Sequence, residues 1–370
     1  MGKFGKRNEI KIDPLAYNIC LLGEPKIGKS SIVKSMLEKL AGNDGYIFLE
    51  MAGEAGADAI SGIIYEDCDT WDDVIEIIED IEDNKTTDYA ELRAIVIDTY
   101  DGWIKLAQEE ALALWNKTHP DKQADTIDAS WNGFQKGQQK AFDLMFDVIT
   151  RLRKVGVATI IIGHVKNREL TDVATGTTYN TLTSDVEKVY FGLLKKKMHF
   201  LGLAYYDRTI KQEKTGKKNI VTKKEETIGR ITGESRKIKF RDDNMALDSG
   251  SRFADIVPEI DFDVDELIKA LTDAIKAEAS KGSKPIEQLE QEQKEAESKR
   301  MEKIAAAEEQ KRSEKELNEV LDQIKAYVQA NKTNVEKLRP LSEEAKKHGF
   351  SNPLKVTDIE VAKNILKLIA

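Results

Sequence analysis

Gly23-Glu24-Pro25-Lys26-Ile27-Gly28-Lys29-Ser30 constrains this chain more than any other stretch. It fits the pattern G-x-x-x-x-G-K-[ST], with an apolar run (Tyr17–Leu22) entering it and an amphipathic stretch (Ser31–Leu40) leaving it. That context predicts a buried strand, a tight loop and a helix. The loop must turn backbone N–H groups inward around a phosphate, and only glycine fits where a Cβ would clash. The N-terminus of the following helix adds a favourable dipole. Gly23, Glu24, Pro25, Lys26, Ile27, Gly28, Lys29, Ser30 and Ser31 are therefore the expected contacts to a nucleotide. Lys29 would neutralise the β- and γ-phosphate oxygens and the Ser30 hydroxyl would ligate Mg²⁺, so ATP and Mg²⁺ are the implied cofactors.

A phosphate loop needs an acid on the metal side. Ala94-Ile95-Val96-Ile97-Asp98 supplies one at the carboxyl end of an apolar run, where Asp98 could hold Mg²⁺ through water beside Ser30. Hydrolysis also needs a carboxylate that orients water. Glu50 is the first candidate, because the Tyr46–Leu49 strand is expected to lie beside the phosphate-loop strand; Glu54 is the rival. A fourth strand, Ala158–Ile162, runs into Gly163-His164-Val165-Lys166 and places His164 where a γ-phosphate sensor would sit. His119, His199 and His348 have no comparable placement and are assigned no metal.

These short, continuously apolar runs alternate with amphipathic stretches, the rhythm of a parallel sheet buried on both faces. Trp71–Ile81 and Phe142–Leu152 read as helices with one apolar stripe. From Phe200 to Phe240 the pattern changes to Tyr/Thr/Ile/Val runs, read as late, partly antiparallel strands broken into hairpins at Thr215-Gly216 and Thr232-Gly233. After Pro258 the chain turns helical and heavily charged. The expected organisation is a tail over 1–16, an α/β core over 17–262, a charged helical linker over 263–312 and a small helical bundle over 313–370. In that bundle Leu317, Val320, Leu321, Ile324 and Val328 share a face. Gly349 would end one helix, and a capping box at Thr357–Glu360 would start another.

Composition narrows the classes. With 40% hydrophobic and 33% charged residues in a chain of 370, a large core under a charged surface is expected and wholesale disorder is excluded. No run approaches a membrane span, the start MGKFGKRNEI has no apolar signal segment, and two cysteines cannot build a disulfide framework. A cytoplasmic setting without membrane contact is the expectation. The net charge of −9 conceals a segment from Lys195 to Arg241 with fifteen Lys/Arg against five acids, a local +10. Within it Lys195, Lys196, Lys197, Arg208 and Lys211 flank a strand bearing Tyr205 and Tyr206, a combination suited to single-stranded DNA.

Together the phosphate loop, the Glu-ending strand, the Asp98 strand and the Gly163-His164-Val165-Lys166 strand resemble a RecA-like P-loop ATPase core. Asp128–Lys140, Gly156–Lys166, Lys197–Arg208 and Gly250-Ser251-Arg252-Phe253 are similar to phage-encoded members of the single-strand-annealing and recombination group. The resemblance covers about residues 15–265. It implies an ATPase with a mostly parallel central sheet that binds single-stranded DNA in recombination, annealing or replication. It also implies a homo-oligomer, ring or filament, in which Arg252 reaches a neighbour's γ-phosphate. A replication or single-strand-binding protein could then dock on the C-terminal bundle. The alternatives are a helicase-like motor or loader that remodels a protein partner, and a nucleotide-binding scaffold with little turnover.

Overall fold

The computed structural model describes residues 9–369 except 55, 172–175, 177, 219–224, 242–248, 283 and 333. The chain forms two compact units: Met1–Lys85 with Glu91–Gln293, and Thr86–Ala90 with Lys294–Ala370.

The first unit is built on one sheet. In chain order its elements are β1 (Ile19–Gly23), α1 (Lys29–Ala41), β2 (Tyr46–Met51), β3 (Tyr65–Cys68), α2 (Trp71–Asp83), β4 (Ala94–Asp98) and α3 (Tyr100–Thr118). Then come α4 (Lys136–Lys154), β5 (Ala158–Thr171), β6 (Thr178–Ser184), α5 (Lys188–Lys197), β7 (Phe200–Lys218), β8 (Glu225–Lys239), β9 (Gly250–Ser251), β10 (Glu259–Asp261) and α6 (Val264–Ala279). The strand order is β10-β8-β7-β1-β5-β4-β2-β3, with β6 on β5 and β9 on β7. From β7 to β3 all pairings are parallel; β6, β8, β9 and β10 pair antiparallel. Every residue of β1 and β4 is buried, which is why both read as unbroken apolar runs.

The strand order corrects one expectation. β2 does not lie beside the phosphate-loop strand; β5 and β4 stand between them. Local spacing carries no information about crossovers, so the order could not be read from it.

α1 lays Ile32, Val33, Met36 and Leu37 on one face of the sheet, joined there by Leu267, Leu271 and Ile275 of α6. Residues 264–279 thus belong to the core rather than to the expected linker, because the apolar stripe of α6 packs against the sheet. Burying a leucine such as Leu271 fully is worth roughly 1.5–3 kcal/mol, so this helix contributes to the stability of the first unit. α3 and α4 pack on β5 and on each other. α2 begins at a capping box formed by Thr70 and Asp73 and buries Val74, Ile78 and Ile81, leaving its acids outward.

Two antiparallel ribbons project past the carboxyl edge of the sheet. β1 pairs with β5 only as far as His164 and with β7 only as far as Ala204. Beyond those residues β5 continues against β6 to Thr171, and β7 against β8 to Lys218. Neither Thr215-Gly216 nor Thr232-Gly233 makes a turn: both lie inside strands. At the second, Thr209 pairs with Gly233 and Ile210 with Ile231, so Thr232 is an extra, bulged residue.

The second unit is helical. It holds the later part of α7 (Ile286–Ala330), α8 (Val335–Lys347) and α9 (Ile359–Lys367). Its core comprises Val320, Ile324, Leu341, Ala345, Val356, Val361, Ala362 and Ile365. Gly349 takes φ +85° just past α8, as a helix end demands. Asp358, rather than Thr357, caps α9 by accepting from the backbone N–H of Glu360 and Val361.

Candidate functional site

The loop between β1 and α1 closes on itself through a backbone bond from Ile27 N to Glu24 O, and the fully buried Ile27 side chain pins it to the core. Gly28 has φ +104°, and no side chain caps the first turn of α1. The early N–H groups of the helix therefore point out of the loop without intrahelical partners, the arrangement that binds an anion. Any Cβ at Gly23 would stand 2.9 Å from Ala204, and one at Gly28 would stand 3.2 Å from the Arg236 guanidinium. Gly23 is required by contact, and Gly28 by its left-handed backbone.

Lys29 is buried, and its Nζ donates to the carbonyls of Gly23 and Glu24 at 3.1 Å. Burial pulls its ammonium below the ordinary value, opposed by the carboxylates of Asp98, Asp101, Glu54 and Asp185. Ser30 Oγ donates to Asp98 Oδ2 at 2.6 Å, so the two side chains expected to serve Mg²⁺ are already in contact. Burial raises Asp98 above the usual carboxylate range, while the Ser30 bond and the charges of Lys29 and His164 act the other way. A hydroxyl and a carboxylate fit a cation that keeps most of its ligands from water and phosphate. Among the described residues no group of three or more His, Cys, Asp or Glu side chains converges as a self-sufficient metal site.

Glu50 pairs in register with Asp98, which keeps it at the site despite the unexpected strand order. Its carboxylate is buried, is raised by that burial, and accepts from Ala57 N at 2.5 Å. Glu54 sits in the turn after β2, where Ala52 and Gly53 both have positive φ. It lies close enough to Lys29 and to Asp98 for its charge to act on each. Of the two candidate carboxylates, Glu54 is thus the one whose charge acts on Lys29, while Glu50 is bonded to the backbone at Ala57.

At the end of β5, His164 Nδ1 bonds to Asp101 Oδ1 at 3.3 Å. That bond raises the imidazole above its ordinary value against burial and the charge of Lys29. Burial acts to raise Asp101, but bonds from His164 and Thr99 outweigh it and hold the carboxyl low. With Nδ1 engaged, Nε2 is the nitrogen left to meet a phosphate.

The projecting β7–β8 ribbon is tied to the loop at two points. Tyr206 N donates to Glu24 Oε1 at 3.3 Å, and Arg236 Nη1 donates to Ile27 O at 2.9 Å while its guanidinium lies over Phe262. Sequence reading missed Arg236, one of fifteen bases in its segment with nothing local to single it out.

Other expected residues lie elsewhere. Arg252 sits at the opposite edge of the sheet, beyond Ser251, which pairs with Phe200 at the start of β7. Its guanidinium donates to the carbonyls of Met198 (3.2 Å) and Lys196, closing the end of α5. Lys195, Lys196 and Lys197 form the last turn of α5 at that same edge, with Lys197 Nζ 3.9 Å from the Phe146 ring centre. Arg208 and Lys211 are on the ribbon at the phosphate-loop edge, and Arg208 is paired with Glu234 at 2.7 Å. From Phe200 to Arg208 the strand spans about 26 Å. The five bases do not make one face.

Tyr205 donates its hydroxyl to Glu259, and Tyr206 packs partly on the core. Among the described residues no helix is long and apolar enough to cross a membrane. A family model described as an AAA domain matches residues 15–230. No curated protein matches the chain.

Proposed function

The chain belongs to the AAA domain family, a family of P-loop ATPase domains, and from that premise we propose a Mg²⁺-dependent ATPase that acts on single-stranded DNA in phage recombination, annealing or replication. One observation carries the reading: a phosphate loop bonded through Glu24 and Arg236 to a basic ribbon that leaves the sheet at the same edge.

In this reading Lys29 meets the charge that develops on the transferring phosphoryl group. Ser30 and Asp98 would hold Mg²⁺, which would supply positive charge to the nucleotide's phosphates. Glu54 orients and activates the attacking water, Glu50 holds the backbone at Ala57 N, and His164 Nε2 meets the γ-phosphate with Asp101 fixing its ring. The cradle of Gly23 to Ser31 supplies backbone donors.

The deciding experiment is ATP hydrolysis with and without single-stranded DNA, beside an unwinding assay. Stimulation without unwinding supports the proposal. The separate helical unit of Lys294–Ala370 favours the second reading, a loader or remodelling ATPase; hydrolysis indifferent to DNA, with a protein captured through that unit, would establish it instead.

A further inference from the structure

A cavity of about 510 Å³ opens at the N-terminal edge of the parallel strands, the edge away from the phosphate loop. Its lining gathers the residues that lead into four strands: Tyr17 and Asn18 before β1, Arg93 before β4, Gly156 and Val157 before β5, and His199 before β7. Ligands of open parallel sheets ordinarily bind at the carboxyl edge, so this cavity is no extension of the nucleotide site. Its volume suits a ligand of metabolite size.

The charges around it are unevenly satisfied. Each lining acid is in an ion pair: Asp13 with Arg93 at 2.5 Å, Glu9 with Lys284 at 3.0 Å, and Glu278 with Lys281 at 2.8 Å, the two lysines also pairing with Glu292 and Asp255. The lining bases Lys11, Arg153 and Arg252 have no carboxylate partner among the described residues, and the Arg252 guanidinium donates only to backbone carbonyls. His199 adds a neutral donor. Its Nδ1 accepts from Asn18 N at 3.1 Å, which leaves the ring proton on Nε2. Burial, with the charges of Arg252 and Arg153, brings the ring down to about 4. Tyr17 packs edge-on against both His199 and Phe253, fixing the wall.

We propose that this cavity is a second anion site that takes a phosphate group, held by Arg153, Lys11 and the Nε2–H of His199. The phosphate could be borne by a small metabolite or by a nucleic-acid backbone; the recognition chemistry is the same. A doubly charged group matches two cations and one neutral donor better than a carboxylate does.

The test follows the His199 ring by NMR in protein labelled at its four histidines, with His199→Gln giving the assignment. The protein carries Lys29→Ala, so that phosphate in the nucleotide loop does not interfere and the outcome is independent of ATP hydrolysis. Inorganic phosphate is the first probe and a short oligothymidylate the second. Phosphate should shift the His199 resonances saturably and raise the ring's pKa from about 4, because an anion offsets the arginines. Arg153→Ala should weaken phosphate binding roughly tenfold or more, as removal of a charge-assisted hydrogen bond does. Arg153→Lys should recover part of it. A response to phosphate alone assigns a small-molecule ligand; a response to the oligonucleotide as well assigns a backbone phosphate. His199 resonances unmoved by either probe, or moved equally in Arg153→Ala, would overturn the site. Arg153 is exposed, so its replacement leaves the core intact.

Discussion

At the scale of single residues, Lys29 is the position whose removal should be most severe. Lys29→Ala should cut ATP turnover by roughly 10²–10³ or more, measured as phosphate release, because the removed charge stabilises the transition state more than the ground state. Near wild-type turnover would sink the phosphate-loop assignment. Glu54→Gln should keep ATP bound and slow cleavage by roughly 10²–10⁴; Glu50→Gln should cost less. The reverse ranking would return the water-activating role to Glu50. Asp101→Asn removes the bond that raises His164. A protonated His164 contributes at low pH, and its contribution fades as pH rises through its raised pKa, so the alkaline limb of the rate profile should move to lower pH in Asp101→Asn. An unmoved limb would separate His164 from the chemistry. The loop itself was legible in the sequence because its demands are local: glycine at two positions, lysine and serine at fixed spacing. The choice between Glu50 and Glu54 was not, because it depends on where the backbone turns after β2. Arg236 was invisible for a similar reason. Its contact with Ile27 joins residues 209 positions apart.

Among the elements, the parallel strands β1, β2, β4 and β5 and the helices α1, α2 and α4 could be read from period and apolar content, whereas β3, whose Tyr65, Glu66 and Asp67 are exposed, could not. The late antiparallel pairing after Phe200 was legible too, but its turns were not. Thr215-Gly216 and Thr232-Gly233 look like turns, yet one lies within a strand and the other supplies the bulge at Thr232. In the proposed reading, the long ribbon that results is where single strands would lie. If single strands lie along it, Lys211→Ala should reduce the salt dependence of binding by about 0.7 in log–log slope for each phosphate the lysine neutralises. Lys195–Lys197 replaced by alanine should leave that slope unchanged, because those lysines end α5 at the far edge of the sheet. The opposite pattern would move the DNA face to that edge. Arg236→Ala should cut the stimulation of ATPase by DNA roughly fivefold or more while basal turnover persists, the scale of an ordinary coupling between sites.

For the molecule as a whole, Arg252 sets a geometric condition. It is at the edge opposite its own phosphate loop, so it can serve a γ-phosphate only in a head-to-tail assembly, which closes as a ring or continues as a filament. Sedimentation with ATP and DNA that finds only monomers would remove that role. The helical unit has its own core, and Ile324→Ala should destabilise it by about 2–5 kcal/mol, seen in its unfolding transition, with ATP affinity unchanged. A final consequence lies in β5. Its fourteen residues run without a break from the middle of the sheet, past His164, to Thr171. Thr171 stands about 23 Å beyond His164 along that strand. A rigid bar pivoting at the phosphate would therefore carry its tip about 2 Å for each 5° of tilt, so a displacement too small to notice at the nucleotide becomes a stroke the size of a hydrogen-bond exchange at the far end.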